Sequence, residues 1–108
     1  MENQFTNLNI RYDAPKEIWN KVPLIYSKLD GWLGFGKGGS MGDNGIPYWF
    51  GFNEDEKHIS ASVEPSGLQF SGLLDNSEWV IWVDKIKRIA SQELGYKAGE
   101  IELGEVGY

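Results

Sequence analysis

Leu8, Ile10 and Tyr12 alternate with Asn7, Asn9 and Arg11, a period of two that predicts a half-buried strand. The period then lengthens. Pro15 sits where the first turn of a helix accepts proline, with Asp13 before it and Glu17 just inside. Ile18, Val22, Ile25 and Leu29 follow at spacings of four, three and four, one face of a helix. Pro23 lies within it, has no amide hydrogen to donate and predicts a kink, and Gly31 is the expected stop. Residues 31–45 hold seven glycines and read as a long loop carrying Trp32 and Phe35.

Beyond the loop, Ile46, Tyr48, Phe50 and Phe52 alternate with Pro47, Trp49 and Gly51, and both sets carry bulk. That pattern predicts a strand covered on one face and partly covered on the other. After the turn 53–57, Ile59, Ala61 and Val63 face one way while His58, Ser60, Ser62 and Glu64 face the other. Glu64-Pro-Ser-Gly67 has a type I turn preference, and Leu68 and Phe70 begin a returning strand. Asp75 and Glu78 resemble a capping box. Trp79, Trp82, Val83, Ile86, Ile89, Ala90 and Leu94 then keep helical spacing until Gly95, with Asp84, Lys85, Lys87, Arg88 and Gln92 on the opposite face. Ile101 and Leu103 alternate with Glu100 and Glu102, as a short edge strand would. The order β-α-β-β-β-α-(β) predicts an α+β fold: an antiparallel sheet of four to five strands with two helices packed on one face. The length of 108 residues fits a single domain, residues 1–108.

Composition narrows the class. A hydrophobic fraction of 41% is too high for a disordered chain. The lack of cysteine excludes a disulfide framework, a thiolate zinc site and a cysteine nucleophile, and fits a cytoplasmic location. No secretory leader pattern opens the chain, and no apolar run reaches the ~20 residues that cross a bilayer.

Charge adds more. The formal net charge of −6 is the sum of +1 over residues 1–37, −7 over residues 38–84 and zero over residues 85–108. The middle segment carries eight acidic residues and one basic one, Lys57, beside the aromatic run Tyr48-Trp49-Phe50-Gly-Phe52. A field of one sign next to flat apolar side chains favours a basic protein partner and repels nucleic acid.

Chemical motifs are sparse. Residues 31–38 nearly match the phosphate-loop pattern GxxxxGK[ST], but they follow a helix, Gly38 stands where a hydroxyl should hold magnesium, and no helix can start at Gly39–Pro47. Gly38-x-Ser40-x-Gly42 has the letters of a nucleophile elbow without the strand and helix that make one. His58 is the only histidine, and its place on the polar side of a strand predicts a solvated side chain. Glu54-Asp55-Glu56 lacks the alternating oxygen pattern of a calcium loop. No cofactor, metal or catalytic residue is expected. Among the tryptophans, Trp79 and Trp82 are expected in the core and Trp19 half-buried. Trp32 and Trp49 are expected to be exposed, where tryptophan dominates interface energetics.

Three features carry a resemblance: Gly45-Ile-Pro-Tyr-Trp-Phe-Gly-Phe52, the acidic turn 54–56, and Glu78-Trp-Val-Ile-Trp-Val83. With them the chain resembles, in architecture, the small immunity proteins of bacterial toxin–antitoxin and contact-dependent inhibition systems. The resemblance implies blockade of a basic toxin domain, often a nuclease, by acidic side chains standing where substrate phosphates would lie. Asp43, Glu54, Asp55, Glu56 and Glu64 are the residues expected in that role, with Trp32, Phe35 and Trp49 as apolar anchors. Two alternatives differ in class: a small enzyme or ligand-binding domain that uses the 31–45 loop as a lid, and a scaffold subunit of a larger assembly.

Overall fold

Five strands and two helices follow the chain in the order β1 (Glu2–Leu8), α1 (Lys16–Ser27), β2 (Trp32–Gly36), β3 (Ile46–Trp49), β4 (His58–Glu64), β5 (Gly67–Leu74) and α2 (Asn76–Leu94). The computed structural model describes residues 1–36 and 45–106; Lys37, Ser40 and Asp43 lie outside the described residues. The strands form one antiparallel sheet in the order β1-β5-β4-β3-β2, so β5 and β4 are central and β1 and β2 are the two edges. The α+β class and the sheet with two helices are as the periodicities predict.

The fifth strand lies in an unexpected place. Residues 32–36 pair with residues 46–49, with a register shift between Trp32 and Gly34. Leu33 is the extra residue of this bulge, and Gly34 follows at φ +101°. The bulge and two glycines break the alternation, which is why the segment reads as loop. The tail, in contrast, contributes only one bridge, Glu100 opposite Leu8, before turning.

One face of the sheet is covered. Leu68, Phe70 and Leu74 of β5, Ile59 and Ala61 of β4, Leu8 of β1 and Trp49 of β3 are buried with Val22, Ile25 and Tyr26 of α1 and Trp79, Trp82, Val83, Ile86 and Ala90 of α2. Burial of this kind is the main source of stability, at roughly 25 cal/mol per Å² of apolar surface. Rings fix the relative placement of the layers. Trp82 meets Trp49 at 5.1 Å and Phe70 at 5.5 Å, both edge-on, and Tyr26 meets Trp49 edge-on at 5.0 Å. Two indole nitrogens within this core donate to backbone: Trp49 Nε1 to Tyr26 O at 3.1 Å, Trp82 Nε1 to Asp30 O at 3.2 Å. Burial drives the pKa of the Tyr26 phenol upward, so it stays neutral.

Several local expectations change. Pro15 is the N-cap of α1, and the helix runs through Pro23 to Ser27, short of Gly31. Asp75 caps α2 with its backbone but not with its side chain, which instead lies 3.4 Å from the N-terminal ammonium. Gly95 ends α2 in the left-handed conformation, as expected. Val63 shares the inner face of β4 yet is exposed. No helix among the described residues is long and apolar enough to cross a membrane.

Candidate functional site

A concavity of about 770 Å³ opens at the end of the sheet where β3 leads into β4. It is lined by Leu33, Tyr48, Phe50, Gly51, Phe52 and the turn residues Asn53 to Glu56. Its shape follows from a break in strand geometry. Phe50 has φ +71°, a conformation costly for a bulky side chain, of order 1–3 kcal/mol. Three contacts hold it there. The Phe50 amide donates to Gly31 O at 2.8 Å, Lys57 Nζ lies 4.6 Å above the ring, and the ring passes so close to Gly31 that a Cβ there would sit 2.5 Å from it. Strand alternation therefore ends at Trp49, and the turn folds Phe52 back against Tyr48, ring centroids 5.6 Å apart. Phe52 and Leu33 are half exposed, the latter because the bulge turns it out of the ladder.

The acidic turn forms the rim. Asn53 organises it: its side-chain oxygen accepts from the Asp55 amide at 2.9 Å and its carbonyl from the Glu56 amide at 3.1 Å, the behaviour that suits asparagine to turns. Glu54, Asp55 and Glu56 are all exposed. Among the described residues none of their carboxylates enters an ion pair; the adjacent Lys57 pairs with Glu78 instead. Among the described residues no group of three or more histidine, aspartate or glutamate side chains is placed to hold a metal ion.

No protein-family model, curated protein or solved structure matches the chain. The site is therefore built from its own residues. Of those expected in it, Glu54, Asp55 and Glu56 stand together on the rim. Glu64 does not join them: it closes the opposite end of the seven-residue β4, about 20 Å away at ~3.3 Å per residue. Asp43 lies outside the described residues.

The aromatic anchors need correction. Trp49 is fully buried, not exposed. It pairs with Ile59 and so points to the helix-covered side, while its neighbour Tyr48 points to the open side. Both parities of residues 46–52 are bulky, so alternation alone does not say which faces inward. Trp32 is half-buried, 5.8 Å from Tyr26 and 5.1 Å from Trp49. Phe35 joins that cluster edge-on to Trp32 at 5.4 Å, with 37% of its surface exposed. The groove's apolar residues are instead Tyr48, Phe50, Phe52 and Leu33; the aromatic run named three of them, and the bulge hid the fourth. His58 is buried rather than solvated. Its Nδ1 lies 2.8 Å from Glu56 O, and it is not among the residues that line the groove.

Proposed function

We propose that this chain is a stoichiometric binding protein, an inhibitor of the immunity type, that captures a basic bacterial toxin domain in the groove of Leu33, Tyr48, Phe50, Phe52 and Glu54–Glu56. The observation that carries this reading is the set of three exposed carboxylates, outside any ion pair among the described residues, on the rim of an aromatic concavity. Unpaired rim charges act over distance and raise the rate of encounter with an oppositely charged surface. The aromatic floor and Leu33 supply desolvated contact area that slows release. Lysine and arginine side chains suit both parts, since their apolar stems can lie on the rings while their heads reach the carboxylates.

The test is association with a basic toxin domain encoded by the adjacent reading frame, followed by stopped flow at low and physiological salt. The rate should fall steeply with salt, and the variant E54S/D55S/E56S should associate at least tenfold more slowly with its circular dichroism unchanged. Salt-independent association, or a triple variant as fast as the parent, would contradict the proposal.

A further inference from the structure

The two edges of the sheet are treated differently. Beside β1 the chain adds a partner of its own: the Asn9 amide donates to Gly99 O, the Ile101 amide donates to Asn7 O, and Glu100 bridges to Leu8. Thr6 Oγ1 adds a hydrogen bond of 2.6 Å to Glu100. Beyond β2, no further strand follows among the described residues. An uncovered edge presents backbone donors and acceptors to any extended chain, and proteins usually shorten or bulge such edges to limit indiscriminate pairing. β2 has both devices, five residues and the bulge at Leu33. What remains is a short template, and its two sides differ chemically. Leu33 opens onto the groove with the Glu54–Glu56 rim, whereas Trp32 and Phe35 lie with the aromatic cluster on the helix side.

On the reading of the groove as a basic-partner site, we propose that the partner enters as an extended segment that pairs with the outer edge of β2, a sixth strand of the sheet. Alternation then defines its sequence class. Side chains of one parity fall on the groove side, where lysine or arginine meets the carboxylates. Those of the other parity fall beside Phe35, where an aliphatic residue is accommodated. Pairing supplies affinity through main-chain hydrogen bonds, and the acidic rim selects the charge pattern and so the register.

The experiment uses the whole chain and two probes. One is a blocked eight-residue peptide alternating lysine and valine; the other is the same peptide methylated on every backbone nitrogen, which keeps its charges and removes its donors. The first peptide should slow hydrogen exchange of the Leu33–Gly36 amides at least tenfold and should bind at least tenfold more tightly than the second. Equal binding of the two peptides with unprotected β2 amides would overturn strand addition while leaving the groove as a charge-selective site. Failure of both peptides to bind at low salt would overturn the groove reading and the strand addition with it.

Discussion

Two acidic segments of this chain have the same charge and opposite fates. Residues 54–56 and residues 100–105 each carry three carboxylates. The first three stand exposed and outside any ion pair among the described residues. In the second segment Glu100 and Glu105 converge on Lys87 Nζ at 2.9 and 3.1 Å, and Glu105 also accepts from the Glu100 amide at 2.9 Å. Lys87 is only 19% exposed and Glu100 14%. These charges clamp the C-terminal segment between α2 and β1, where Asn7 and Thr6 complete the network. Charge count alone does not distinguish exposed acids from an internal fastening; the available counter-ion does.

The contrast between fastened and free groups also runs along β3, and it gives the largest expected effect. Trp49→Ala should cost about 3–5 kcal/mol in chemical denaturation, because it empties a fully buried site and loses the bond to Tyr26 O. Tyr48→Ala, one residue away on the open face, should cost under ~1 kcal/mol while weakening partner binding. A small loss for Trp49 would mean that the parity of β3 is inverted.

Lys87→Met comes next. It strands Glu100 and Glu105 without a cation in a partly buried place, so about 2–3 kcal/mol of stability should be lost, with hydrogen exchange speeding first at residues 99–101. No loss would show that the segment is held by its backbone bonds alone.

The pH dependence sharpens the same point. The Glu100 amide, which donates to it, holds the Glu105 carboxyl below its ordinary value; partial burial opposes this and Lys87 assists it. A lowered folded-state pKa stabilises above the unfolded value of 4.5 and is lost as pH falls through the folded value. For Lys87, burial pulls the pKa down but the hydrogen bonds its ammonium donates to Glu100 and Glu105 raise it further. Its contribution is therefore complete below 10.5 and lost at higher pH. Unfolding midpoints should drop on both sides of that window, and Glu105→Gln should flatten the acid limb. An acid limb unchanged in that variant would remove Glu105 from the clamp.

The smallest effect is expected at Glu64. Glu64→Gln should alter association by less than about twofold, since it lies at the far end of β4, beyond a ~8 Å screening length at physiological salt. A tenfold change would place the docking surface elsewhere.

Much of the fold is legible in residue order because α2, β4 and β5 keep one period over their whole length, with most of the bulk on one side. Legibility fails where two signals compete. At residues 46–52 bulk on both parities conceals that Tyr48, not Trp49, faces outward. At residues 32–36 a one-residue bulge mimics a loop, and with it Leu33 and the β2 edge of the sheet are missed. His58 lies on the outward side of β4 as its spacing says, but the adjoining turn buries it. Summed charge points to the middle segment, yet joins Glu64 to a rim it never approaches and misses the acids paired inside the neutral tail.

The most direct measurement compares two variants on the lysine–valine peptide, titrated at low salt: E54Q/D55N/E56Q and E100Q/E102Q/E105Q, which remove the same charge from the two segments. If carboxylates 54–56 are the docking rim, the first variant should lose at least tenfold in affinity while the second, under conditions where it remains folded, binds within about twofold of the parent. Equal losses in both would mean that net charge rather than its placement attracts the peptide, and would contradict the assignment of the groove.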